Sequence, residues 1–480
     1  MGESTGERER LEKPTVSVTK QGSGDDRISN LPDDLLFHIL SYLPTKHAVG
    51  TSILSSRWNN LFPFVPDLKL DFDDSLLLPR PDQEHNQENV ASESKPDELA
   101  NSFRDFVSGV LNRLEQCNAR IREFNLICRE KYDDDCIVSW LRAAARLRVQ
   151  DVRLYVSIKN SVKLLSSLDG CITLETLHVG KGFDLPASDL PDVKYPNLKT
   201  LVLYQVKVLD VMDKLFDGCP VLEKLGMFGC NCWIDTIGFI IPTLKHLVLE
   251  KSLTDEQFAW HIDTPKLEYL YYSGIPLEEF DYIGNFDCIH ELSLHVLWKL
   301  VNGELREPEY DDLHNIAVLI NGCSEVQSLY FGNLTMEVLH RLSLPLPKFG
   351  NLQSLRLQVK KMGAWNTFGR LLEAAPNLET LIIERSDMFD GGYERFFSSL
   401  EGVPRCLSSS MKKIVIAEFK GLEDEIKLIE YLLRNGKVLQ EVIFNCNFNF
   451  SADNDSVSRR LSLALTSTAC KIRYPKINMV

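Results

Sequence analysis

Residues able to do chemistry are plentiful in this 480-residue chain, but their spacing assembles no reaction. Asp133-Asp134-Asp135 offers adjacent carboxylates, the donor type that hard divalent cations prefer. Ile137, Trp140, Leu141 and Ala145 follow at helical spacing, so these acids read as a helix N-terminus, where negative charge meets the positive end of the peptide dipole. The twelve cysteines include no Cys-x-x-Cys pair, and Cys230 and Cys232 stand one residue too close for a zinc knuckle. Cys219 and Cys323 fall in apolar contexts, which suits reduced thiols acting as small hydrophobes. The ten histidines show no ligand spacing, and Gly391-Gly392 reads as a turn. There is no phosphate-binding Gly-x-x-x-x-Gly-Lys loop, no His-Glu-x-x-His and no Gly-x-Ser-x-Gly. The expectation is a non-catalytic protein with no metal and no cofactor, whose function is recognition.

Bulk properties narrow what is recognised. A composition 44% hydrophobic and 25% charged is that of a folded soluble protein. A net charge of −15 excludes general nucleic-acid binding, which needs a positive surface. No run approaches the roughly 20 apolar residues of a membrane span. The polar start, with Gly6 where a myristoylation motif wants Ser or Thr, gives no address to secretion or a membrane, so nucleus and/or cytoplasm is expected.

The elements that must position a binding surface are periodic. Pro196-Asn-Leu198-Lys-Thr-Leu201-Val-Leu203 returns as Pro220-Val-Leu222-Glu-Lys-Leu225-Gly-Met227, then from Pro242 and from Pro265, at steps of 24, 22 and 23 residues. Leu174 fits one step earlier, weak copies precede at Ile121 and Val149, and looser ones follow at Ile289, Val326, Leu352, Leu378, Met411 and Leu439. Such a period lies within the roughly 20 to 29 residues of leucine-rich repeats. Alternation makes each copy a short strand with one buried face. Stretches such as Val211 to Phe216, Phe368 to Ala375 and Ile426 to Leu433 read as intervening helices. One repeat cannot bury its own apolar side, so the α/β fold expected is a leucine-rich-repeat solenoid, a curved parallel sheet with helices outside. Phe103 to Leu114 is expected to cap one end, and the chain around Leu461, Leu465 and Cys470 to Tyr474 the other. Outward strand positions, predicted by alternation, supply candidate substrate-binding residues: Tyr204, Phe228, Tyr271, His295, Tyr330 and Arg356, with Glu250 and Glu384 among them. The 37-residue step from Ile289 to Val326 carries the polar insertion Asn302 to Asp312, a recognition loop or a solvated spacer.

Ahead of the repeats, Ile28 to Phe64 reads as three short helices. Pro32 suits a first helical position, Asp33 and Asp34 follow it, Pro44 ends the helix, Thr45 caps a second and Ser55 a third. Leu35, Ile39 and Leu43 form one stripe, with Leu36 and Leu40 beside it. So small a unit gains stability by docking on a partner.

Leu31-Pro-Asp-Asp-Leu-Leu36, Ile39-Leu-Ser-Tyr-Leu-Pro44 and Leu54-Ser-Ser-Arg-Trp58, in that order, resemble the F-box of plant F-box/LRR proteins. Val403-Pro-Arg-Cys-Leu-Ser-Ser-Ser-Met-Lys-Lys-Ile414 and Glu430 to Leu439 are similar to the FBD region of the same subfamily. The resemblance implies a Skp-type adaptor as partner and, through it, a cullin–RING ubiquitin ligase. It also implies Leu31, Pro32, Leu35, Ile39, Leu43, Pro44, Val49 and Trp58 as adaptor-binding residues. The function implied is that of substrate receptor, with an unidentified protein as substrate. A non-degradative repeat scaffold and a small-molecule sensor stay open beside it. The domain reading is a disordered tail over 1–26, the F-box over 27–64 and an acidic flexible linker over 71–98. Leucine-rich repeats follow over 99–402, then the FBD region with the last repeats and a cap over 403–480.

Overall fold

The computed structural model describes residues 28, 30–76, 96–129, 132–158, 161–180, 184–185, 192–208, 212–232, 236–251, 259–274, 280–283, 286, 288–297, 299–301, 304–306, 310–342, 346–359, 362–384, 396–398, 400–419, 421–446, 455–467 and 470–474. They fall into two compact units, one ending at Pro66 and the other beginning at Asp67.

The first unit holds three helices, α1 (Asp33–Ser41), α2 (Thr45–Gly50) and α3 (Ser56–Leu61). Pro32 and Pro44 keep extended backbone ahead of α1 and α2, and their carbonyls accept the first amides of those helices. Pro32 is thus the N-cap of α1, one residue ahead of the place the sequence suggests. Thr45 is the buried first residue of α2 rather than its cap, because Pro44 already turns the chain. Ser55 does cap α3, its Oγ accepting from the Trp58 amide at 3.4 Å.

In the second unit, among the described residues, fifteen strands form one sheet in which every neighbouring pair is parallel. Its register is strict. Leu177, Leu201, Leu225, Leu247, Leu270 and Leu292 lie side by side on successive strands, and so do Val179, Leu203, Met227, Leu249, Tyr272 and Leu294. These two buried columns are the repeated leucines of the sequence stacked into a core. Strands lie at each repeat the sequence singled out, from Ile121–Ile127 through Glu441–Cys446. The three helical stretches appear as Met212–Asp217, Met362–Ala374 and Glu423–Asn435. Asp133 is the N-cap of helix Asp134–Arg146, as the triple-acid reading requires.

Four expectations change. The sheet begins at strand Leu68–Asp73, not near 99, and that strand occupies part of the span read as a linker. Its Leu68-Lys-Leu70-Asp-Phe72 is one residue shorter than the repeat pattern. The shortfall appears as an irregularity where Leu68 pairs with Ile121 but Lys69 with Glu123. The rest of the linker, 77–95, and the tail, 1–26, lie outside the described residues. The stretch Phe103 to Leu114 belongs to helix Pro96–Gln116, which packs on helix Asp134–Arg146 and sets Phe106 edge-on to Phe72 of the first strand. It is the first of the layer of helices rather than a terminal cap. Centrally, strands Thr236–Ile240, Ala259–Asp263 and Phe280–Ile283 form a second small parallel sheet where helices were expected. Just before the polar insertion, Lys299–Val301 pairs antiparallel with Glu304–Arg306 inside it, and helix Tyr310–Gly322 begins within it, so part of the insertion is regular structure.

Candidate functional site

The F-box segment has more apolar side chains than its core can hold. Leu36 and Leu40 of α1 join Ala48, Trp58, Leu61, Phe62 and Val65 inside. On the same helix Leu35 and Ile39 face outward, 49% and 38% exposed. The stripe read as one face is therefore two faces, and the outer one covers nothing within its own unit. Of the residues implied by resemblance, Pro32, Leu35, Ile39 and Pro44 are exposed, and Leu31, Leu43 and Val49 are half-buried. Trp58, at 3% exposure, sits inside the helical unit and offers no surface, because Ser55 starts α3 in the orientation that turns the indole inward. Tyr42, Ile53, Leu54 and Phe64 are exposed apolar residues absent from that set. Ile53 and Leu54 lie where a 3-10 turn, Thr51–Ile53, joins α2 to α3, a geometry with no helical period to read.

The motif has a geometric reason. Arg57 donates one bond to the Leu31 carbonyl at 2.7 Å and pairs with the Asp33 carboxylate, so Leu-Ser-x-Arg-Trp is tied to Leu-Pro-Asp-Asp across 24 residues or more.

The outward face of the large sheet holds the second candidate. Parallel register places Tyr271, Ser293, Tyr330 and Arg356 in one row, and Tyr204, Phe228, Glu250, Ser273 and His295 in the next. Four of the six residues picked from the sequence come together. Tyr271 and His295 have ring centroids 5.3 Å apart, His295 meets Tyr330 edge-on at 4.4 Å, and Arg356 lies over the Tyr330 ring at 4.9 Å. Tyr204 and Phe228 face each other farther along the sheet. Glu384 organises the cluster, its Oε2 accepting from the Tyr330 hydroxyl at 2.8 Å and its Oε1 from Arg356 Nε at 2.8 Å. Burial lowers the His295 pKa, with nearby Glu384 opposing and Arg356 adding to the shift. Burial and the bond to Glu384 raise the Tyr330 pKa. The result is a preordered, neutral aromatic surface with one saturated ion pair, suited to binding rather than proton transfer.

A cleft of about 220 Å³ lies over the first strands, lined by Lys69, Asp71, Glu123, Asn125, Asp151 and Arg153. Lys69 pairs with Glu123 at 2.6 Å and Asn125 donates to Asp71 at 2.8 Å, so much of its polarity is spent internally. Among the described residues no group of three His, Cys, Asp or Glu side chains is placed to hold a metal, and no helix is long and apolar enough to cross a membrane.

A three-helix unit with an unpartnered apolar face, on a chain that continues into stacked parallel repeats, defines an F-box protein with a leucine-rich-repeat body. Residues 28–66 match the F-box domain family and residues 399–444 the FBD family. Residues 137–304 match the family described as FBD-associated F-box protein At5g56370, LRR repeats. F-box/LRR-repeat protein At4g14096 of Arabidopsis thaliana is 31% identical over 470 residues, 95% of this chain and 96% of its own length. F-box/LRR-repeat protein At4g14103 of the same plant is 34% identical over 75% of this chain and 91% of its own. The chain belongs to the plant F-box/FBD/LRR-repeat family.

Proposed function

We propose that the protein is the substrate-recognition subunit of a Skp–cullin–F-box ubiquitin ligase. The F-box binds a Skp-type adaptor, and the strand face holds a target protein whose lysines are thereby brought to the ubiquitin-loaded enzyme. The observation that carries the reading is the outer apolar face of α1, with Leu35 and Ile39 exposed beside Pro32 and Pro44. A surface of this kind is stabilised by a partner that covers it. In this role the chain contributes binding energy and proximity, and the bond-forming chemistry belongs to other subunits.

The test is a pull-down of a purified Skp-type adaptor by the full chain, wild type against a Leu35→Ser, Ile39→Ser variant. Both side chains are solvent-exposed, so the variant keeps its fold. Losing roughly 1 kcal/mol of apolar burial at each should weaken adaptor binding about 30-fold. A folded wild-type protein that does not bind the adaptor sinks the reading.

A further inference from the structure

The sheet's outward face carries a local charge that the aromatic cluster does not use. From strand His246–Glu250 to strand Thr380–Glu384, the outward positions hold Glu250, Glu291 and Glu384 against Arg356. Glu384 and Arg356 cancel each other through their ion pair. Glu250 and Glu291 are exposed, and neither is in an ion pair among the described residues. Among the described residues Lys224, two strands before Tyr269 in the same row, is the nearest outward cation on that side.

Register sets the geometry. Glu250 neighbours Ser273, Tyr271 neighbours Ser293, and Tyr269 neighbours Glu291. The two free carboxylates therefore stand at diagonal corners around Tyr271, one on each adjoining strand. Tyr269 packs against His246 and Tyr271 against His295, with ring centroids 5.8 and 5.3 Å apart, and Ser273 and Ser293 beside them are buried, so the rings are already ordered. Ser273 and Ser293 beside Tyr271 are small, and His295, its ring centroid 5.3 Å away, covers one side of the Tyr271 ring, so the place for a cation is the side away from His295.

We propose that this face seats a lysine or arginine side chain of an extended partner segment, the cation lying against Tyr271 between Glu250 and Glu291. This rests on the strand face being the docking surface for the target. A cation there gains from the ring's negative face and from two uncompensated carboxylates. An acidic segment would meet the same carboxylates unpaired.

The test uses the full chain and a fluorescein-labelled 12-residue peptide of alternating lysine with glycine or serine, read by anisotropy at low and high salt. Peptides with glutamine or glutamate for lysine are the controls. The lysine peptide should bind, weaken as salt rises, and lose about 5- to 10-fold with Glu250→Gln, Glu291→Gln. Equal binding by the double variant, or by the glutamine peptide, overturns the proposal. A photoreactive residue at Ser354, on the same face, separates this from failure of the strand-face reading. A partner crosslinked there equally by wild type and the acid-pair variant overturns the cation site and leaves the strand face standing. Crosslinks formed from Leu54 of the F-box but none from Ser354 refute both.

Discussion

Replacing Thr335 by Val should open the sheet locally, beside the aromatic cluster. Strand Glu291–Val296 outruns its neighbour Ser328–Phe331, which ends where the chain turns into helix Asn333–Leu342. That leaves the last backbone groups of the longer strand without a strand partner on this side. Thr335, completely buried, supplies one: its hydroxyl accepts from the Val296 amide at 3.0 Å and donates to the Leu294 carbonyl at 2.8 Å. Val is nearly isosteric, so the substitution removes the hydroxyl and leaves the Val296 amide buried and unpaired, while the Leu294 carbonyl keeps its bond from the Gly332 amide at 2.8 Å. The one orphaned amide costs roughly 1 to 2 kcal/mol. Hydrogen exchange over 291–296 is the direct assay, because repeats open locally before the whole chain does. The Val296 amide should exchange about 5- to 30-fold faster. Thr335→Ser keeps the hydroxyl and should stay close to wild type. Unchanged exchange in Thr335→Val, or equal acceleration in Thr335→Ser, would refute the reasoning.

Three further outcomes follow from the same structure. A Cβ on Gly332 would lie 3.0 Å from His295 Nδ1, so Gly332→Ala should displace that ring and cost about 1 to 2 kcal/mol, seen as a shift of the His295 imidazole resonances and a lower melting temperature. Arg57→Met cuts the ties to Leu31 and Asp33 and should lower the stability of the F-box by about 1 to 2 kcal/mol in denaturant unfolding. Arg57→Lys should restore only part of it, lacking the forked donor. Burial holds His178 and His295 below the usual histidine pKa and pushes the Cys219 and Cys406 thiols up to about 12. The unfolded chain then binds more protons than the folded one as pH falls below about 6.5, so the histidine contribution to stability is full above that pH and declines below it. Iodoacetamide at neutral pH should label exposed Cys288 and spare Cys219 and Cys406 until the protein is unfolded, as peptide mapping would show.

Strand positions were legible because a strict in-register stack makes each repeat's leucines do the same job, and only that arrangement buries them. The first strand escaped because Leu68 to Leu70 is one residue short, a defect the sheet absorbs as an irregularity. The central outer strands escaped because Thr236–Ile240 and Ala259–Asp263 pair with each other, a long-range condition no local pattern records. At the F-box, helical period alone could not say which of Leu35 and Leu36 is inside, since both sides of α1 are apolar. That ambiguity is what an apolar face on each side of one helix produces. On the strand face, alternation identified the outward side chains. It could not show that Tyr330 and Arg356 converge on Glu384, because that meeting depends on which strand adjoins which.

One sequence regularity finds its meaning only in the stack. In five consecutive repeats the residue after the first leucine is Glu175, Lys199, Glu223, Lys245 and Glu268 in turn, and these lie on consecutive turns linked backbone to backbone at 2.8 to 2.9 Å. Parallel register puts equivalent positions about 4.8 Å apart, so a repeated glutamate would face its own copies. Alternating sign converts that repulsion into pairs, Lys199 with Glu175 at 3.0 Å and Lys245 with Glu223 at 2.8 Å. Exposed pairs contribute little individually. Their consequence is directional, because losing the single repeat that carries Lys199 would set Glu175 beside Glu223. The alternation therefore disfavours the loss of any one of the repeats that carry Lys199, Glu223 and Lys245, since each such loss sets like charges side by side.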